Sequence, residues 1–195
     1  MVKPIGVLAL QGDFREHIAT FDAIGVNAVR VRSIEEIDAC AGIVIPGGES
    51  SVIHRLSVVY GLFEPIRDRI AAGFPAFGTC AGLIMLAAEI LDKTYDQAAF
   101  GGLDVSVRRN AFGNQLDSFE TDIEFTAVTG LVHAAFIRAP IVERVGVGVE
   151  TTAQLDDGRV VGVRQGNVMG ISFHPEVTGE TRIHELFANL AENPV

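Results

Sequence analysis

Basic residues are scarce in this chain of 195: 15 lysines and arginines stand against 25 aspartates and glutamates, a formal net charge of −10. A nucleic-acid partner needs its phosphates neutralised, so this balance argues against one. It is compatible with a basic protein partner, though charge alone identifies none. Cysteine is nearly absent, with Cys40 and Cys80 only. With no secretory signature, two free thiols are expected rather than a disulfide. No apolar run approaches the roughly 18 residues a membrane helix needs. "MVKPIGVLALQGD" is too short in its apolar part, and too unlike a cleavage site at its end, for a signal peptide. A cytoplasmic protein is the expectation. Repeats, low-complexity tracts and flexible linkers are missing as well, so a single domain over residues 1–195 is expected. P-loop spacing and its lysine are absent, and "IGVLALQG" is no dinucleotide fingerprint. Cysteines or histidines paired at ligand spacing are also wanting. No cofactor and no metal is expected.

What is present alternates. "IGVLAL" (5–10), "NAVRVR", "GIVIP" (42–46) and "PAFGTC" read as buried strands. Between them lie helix-period segments: Phe14, Ile18 and Phe21 share one face before Gly25, and Ser33 with Glu36 has capping-box spacing. Two helices, 50–60 and 62–72, are separated by Gly61, and a further helix is expected from Ala81 to Leu91. Strands alternating with helices predict a three-layer α/β/α fold around a mainly parallel sheet. From about Gly101 onward, short β-type runs such as "LDVSVRRN", "TDIEF" and "GRVVGVRQGN" predict added antiparallel strands or an extension of the central sheet. A last helix, about 180–191, presents Ile183, Leu186, Phe187 and Leu190 to the core.

Three stretches carry chemistry. Gly78-Thr79-Cys80-Ala81-Gly82 is the cysteine counterpart of a nucleophile elbow at a strand-to-helix junction. Such an elbow exposes the thiol above the sheet edge, where the helix start favours thiolate and the Ala81 N–H is free to serve an oxyanion. Taken alone, Cys80 is equally readable as a small core residue. "SFHPE" supplies a base: alternation along an extended chain would put His174 and Glu176 on one side, as a nucleophile–base–acid triad requires. His17, His54 and His184 fall in predicted helices, where packed or solvated histidine is the plain reading; His133 lies in a poorly defined stretch. In "IVIPGGESS" (43–51), Gly47-Gly48 and a capping serine expose backbone N–H groups for a second oxyanion donor or a substrate anchor.

These motifs resemble the class I (triad) glutamine amidotransferases. "GVLALQGDFREH", "PGGESS", "FGTCAGLIML", "RRNAFGNQLDSFE", "FIRAP" and "SFHPE" are more closely similar to the glutaminase subunits of pyridoxal 5'-phosphate synthase, over nearly the whole chain. The resemblance implies catalytic Cys80, His174 and Glu176. It also implies an oxyanion hole at Gly48 and Ala81, and glutamine held by Gly48, Glu49, Ser50, Arg109, Ile137 and Arg138. Arg108 competes with Arg109 for that role. L-Glutamine would be the substrate. A (β/α)8-barrel subunit of pyridoxal 5'-phosphate synthase would be the partner that receives the ammonia, with activation on docking sought at the Gly47-Gly48 peptide and the Gln11-Gly12 turn. "PGGESS" replaces the usual P-G-G-E-S-T but keeps a hydroxyl, and nothing is taken from residues 91–103, where the family varies in length. A glutaminase serving another synthase, a free-standing γ-glutamyl hydrolase and a catalytically silent regulatory domain are the alternatives.

Overall fold

The computed structural model describes residues 2–109 and 118–195. Its core is a run of four-residue strands: β1 (Ile5–Leu8), β2 (Ala28–Val31), β3 (Gly42–Ile45) and β4 (Ala76–Thr79). A fifth core strand, β12 (Val168–Ile171), comes from near the other end of the chain and inserts beside β4. The order β2-β1-β3-β4-β12 is parallel throughout. Parallel strands need covered faces, and both are covered. Alternation assigns Ile43 and Ile45 to one face and Val44 to the other. Against the first face pack α2 (Ile34–Asp38), α3 (Ser50–Val59), α4 (Phe63–Ala71) and α5 (Ala81–Leu86), through Ile37, Ile53, Ile66 and Leu83. Against the second pack α1 (Phe14–Ala23) and α7 (Arg182–Glu192), through Phe21, Ile183 and Phe187. The expected three layers are therefore present.

The local signals work as anticipated. Ser33 and Glu36 form a reciprocal capping box, and Gly25 and Gly61 adopt the left-handed backbone after α1 and α3. Cys40 and Cys80 are free. No helix among the described residues is long and apolar enough to cross a membrane.

The helix expected from Ala81 to Leu91 is a correction. It stops at Leu86, and β5 (Ala87–Ile90) follows directly, pairing with β6 (Leu103–Arg108). The Met85 carbonyl accepts from the N–H groups of Phe100 and Gly101 instead of a further helical turn. Pairing with distant chain overrides local helix preference here. Beyond β12 the sheet continues through β11 (Val160–Gln165), β9 (Ile141–Val145), β6 and β5, with β10 (Glu150–Gln154) on β11. The junctions β12–β11, β11–β9 and β9–β6 are antiparallel, as are β10 and β11. A two-stranded ribbon, β7 (Phe119–Glu124) with β8 (Leu131–Phe136), lies on the α1/α7 side, burying Ile123, Val132 and Phe136 there.

Candidate active site

Cys80 occupies the turn between β4 and α5 with φ 48° and ψ −102°, a conformation side chains rarely adopt and one that costs about 1–3 kcal/mol. The glycines around it are required by close backbone. A Cβ on Gly78 would lie 2.4 Å from the Gly82 carbonyl carbon, and one on Gly82 only 2.0 Å from the Ile45 oxygen. The Cys80 N–H donates to the Ile171 carbonyl at 2.8 Å, tying the elbow to β12.

That same strand delivers His174. Ile171 pairs in register with Thr79, and the chain then runs through Ser172 and Phe173 to His174. His174 Nδ1 and Glu176 Oε1 are 2.8 Å apart, both groups almost wholly buried. The means differ from the sequence expectation. Glu176 is not two residues along an extended strand; it sits in a one-turn helix, α6 (Pro175–Thr178), with Pro175 at its first position and His174 as its N-cap. Burial alone would depress the His174 cation. The Cys80 sulfur hydrogen-bonded to the ring and the Glu176 carboxylate outweigh it and push His174 up to about 10. The arrangement therefore favours the imidazolium form of His174. Burial raises Glu176, with the His174 contact working against it. Asp13, at the start of α1, is raised by burial and stands 3.8 Å from His174 Nδ1.

Gly48, Glu49, Ser50, Arg109, Ile137 and Arg138 line a small cleft of about 70 Å³ together with Cys80 and Ala81. A wider space of about 670 Å³ shares Cys80, Gly48 and Arg138 and adds Gln11, Asp13, His174 and Glu176. Arg109 faces the cleft, donating to Glu49 Oε1 at 3.0 Å and Gln97 Oε1 at 2.9 Å. Arg108 points elsewhere and pairs with Glu143. Arg138 has φ 47°, a second strained residue at the cleft, and the Ile137 carbonyl before it lies 4.0 Å from the Cys80 sulfur. Glu49, rather than the expected serine, caps α3, its carboxylate accepting from the Ser51 N–H. Ser50 is the first helical residue, and its hydroxyl accepts from Gln97 Nε2 at 2.9 Å. The Gly47 carbonyl accepts from the Asp13 N–H at 3.1 Å, while Gln11 Oε1 accepts from the Glu49 N–H at 2.8 Å. So the Gln11-Gly12 turn and the Gly47-Gly48 peptide touch, and a Cβ on Gly12 would meet the Gly47 oxygen at 1.8 Å. Residues 110–117 of "RRNAFGNQLDSFE" lie outside the described residues.

A group profile described as "SNO glutamine amidotransferase family" matches residues 7–193. The chain belongs to that family. A protein of Nocardioides sp., named "Pyridoxal 5'-phosphate synthase subunit PdxT", is similar to this amidotransferase, with 55% identity over 190 residues. The match spans 95% of this chain and 94% of that one. A protein of the same name from Leifsonia xyli subsp. xyli is 56% identical over 184 residues, covering 94% and 93%. Among solved structures, "Crystal structure of glutamine amidotransferase" superposes with a TM-score of 0.89 at 46% identity, covering 96% and 98% of the two chains.

Sequence reasoning about this amidotransferase missed three groups. His17 and His184, set aside as ordinary helical histidines, are fully buried and hydrogen-bonded to each other directly behind Glu176. Gln97, from the segment that supplied no reading, joins Ser50 to Arg109. No spacing signals Gln97. His17 stands in the quoted block "GVLALQGDFREH" but carries no motif of its own. As for a metal, Asp13, His174 and Glu176 offer ligand atoms within 4.8 Å of one another. An ion there would compete with the direct His174–Glu176 hydrogen bond.

Proposed function

We propose that this chain is a single amidotransferase domain spanning residues 1–195 that hydrolyses L-glutamine to L-glutamate and ammonia. The observation that carries the reading is the meeting of a strained Cys80 elbow, His174 and Glu176 at one cleft. The Cys80 thiolate attacks the side-chain amide carbon, and the developing oxyanion is met by the backbone N–H groups of Gly48 and Ala81. The His174 imidazolium gives its proton to the departing nitrogen, and ammonia leaves a γ-glutamyl thioester. His174, now neutral, takes a proton from water, which attacks the thioester carbon and releases glutamate and the thiolate. Glu176 keeps the ring in place and favours its cation.

In the pocket, Glu49, Ser50 and Gly48 face the bound amino acid from one side, and Ile137 and Arg138 from the other. Arg109 is the arginine at the substrate, held by Glu49 and Gln97, while Arg108 serves an ion pair away from the cleft. Its fixed planar donors suit a carboxylate.

The relatives are named as subunits of pyridoxal 5'-phosphate synthase, which supports delivery of the ammonia to a synthase subunit; that subunit is proposed to be a (β/α)8 barrel and the compartment the cytoplasm. The test is glutamate release by this protein alone and with that barrel, with Cys80→Ala as control. Release that rises with the barrel and vanishes in the variant supports both nucleophile and partner. Release indifferent to the barrel removes this partner, and release that survives in the variant removes the mechanism.

A further inference from the structure

Behind the triad lies a polar pair that the mechanism above does not use. His17 of α1 and His184 of α7 are fully buried. Their rings sit among Phe21, Phe77 and one another: the Phe21 and His184 centroids are 4.9 Å apart, and those of Phe77 and His184 5.8 Å. An apolar box of this kind suits phenylalanine, and burying imidazole in it is unfavourable unless the ring nitrogens find partners. They find specific ones. His17 Nδ1 lies 2.8 Å from His184 Nε2, and His17 Nε2 lies 3.0 Å from Thr79 Oγ1 and 3.6 Å from Glu176 Oε1. Thr79 is the residue before the nucleophile, and Glu176 is the partner of the base. One ring atom thus faces both arms of the triad, which are otherwise 97 positions apart in sequence (Thr79 to Glu176).

The donor pattern follows from these partners. A proton on His17 Nε2 serves both Thr79 and the Glu176 carboxylate. His17 Nδ1 then accepts from the His184 Nε2–H. Burial holds both rings neutral, with His184 and His174 adding to the effect at His17.

We propose that His17, backed by His184, is a positioning residue that pins the Cys80 elbow and the Glu176 carboxylate to one fixed point. It acts through Thr79 and Glu176 and touches neither glutamine nor the reacting atoms. The proposal rests on the glutaminase reading.

The test is the pH profile of Cys80 alkylation by iodoacetamide in the full chain, with Cys80→Ala subtracted for Cys40, beside glutamine turnover with the synthase barrel. The charged and titratable groups around the titrating pair are Asp13 and Glu16 at the start of α1, Glu49, Arg109 and Arg138 lining the cleft, and Glu176 from α6, with His17, His184 and Glu180 behind. His17→Phe fits the aromatic box but removes both nitrogens. With Glu176 less well held, the imidazolium loses support. The alkylation midpoint should then rise by about one pH unit, and turnover should fall by up to about 10²-fold. His17→Gln, which returns an N–H, should recover much of both. A midpoint unchanged in a folded His17→Phe overturns the proposal, as does a Gln variant no better than Phe. Should His17→Phe not fold, His184→Phe carries the test, with a smaller rise expected and no rise overturning it. A wild type labelled no faster at Cys80 than at Cys40 would instead sink the glutaminase reading itself.

Discussion

The two cysteines mark opposite ends of one sheet. Cys80 stands at the carboxyl edge, on a strained turn, sharing a cleft with His174. Cys40 stands near the amino edge, behind α2, where its thiol donates to the Glu36 carbonyl at 3.2 Å and burial pushes its pKa up. Their exposures are similar, 8% and 2%, so burial alone does not separate them. What separates them is company. At the carboxyl edge, parallel strands release their chains into turns that converge on one space, and there Cys80 shares a cleft with His174, Glu176 and the Gly48 loop. At the amino edge Cys40 meets Gly6, whose missing Cβ leaves room for the sulfur at 3.0 Å. Its contacts are packing groups and a backbone carbonyl.

The comparison breaks most directly by deleting each sulfur. Cys80→Ala should reduce glutamate release by at least about 10⁴-fold, while Cys40→Ala should leave it within about twofold, as assayed with the synthase barrel. The base arm comes next. Glu176→Gln keeps the size of the side chain but not its charge, and kcat should drop by roughly 10³-fold without loss of the folded circular-dichroism signal. The edges should also differ in tolerance of a methyl group. A Cβ on Gly82 meets backbone at 2.0 Å, whereas one on Gly42 at the amino edge meets side-chain carbons at 3.1 Å. Gly82→Ala should therefore lower urea stability by about 3 kcal/mol or more, and Gly42→Ala by about 1 kcal/mol.

The smallest effect concerns pH. Burial lowers His184 to about 4, below its ordinary 6.5. Between those values the unfolded chain binds the proton and the folded chain does not, so stability rises with pH across the window and is lost as pH falls through it. The contribution lost on going from about pH 7.5 to pH 5 is about 2 kcal/mol. His184→Phe should remove that part of the acid slope in urea midpoints, and an unchanged slope would contradict the assignment.

Much of the carboxyl edge was readable beforehand because its residues are constrained by local geometry. Gly78 and Gly82 flank a turn with no room for side chains, and Pro175 fixes the start of the turn that carries Glu176. The strand–helix alternation was equally plain through Thr79. Legibility failed where distant chain decides. Ala87 to Ile90 has an acceptable helical sequence and becomes a strand because β6 is there to pair with it. His174 and Glu176 meet through a helical turn rather than by strand alternation, so the right pair was reached by a different geometry. Gln97 and His17 carry no spacing signal, since each gains its role only when α3, α7 or the elbow is brought against it.

The insertion of β12 beside β4 has a consequence for synthesis. The thiol at position 80 is made well before the histidine at 174, and the strand that carries that histidine fills a slot in the middle of an otherwise completed sheet. Until then the nascent elbow lacks the Ile171 carbonyl that receives the Cys80 N–H, as well as the imidazole. The strand pairing that closes the core is therefore also the step that brings His174 to the elbow.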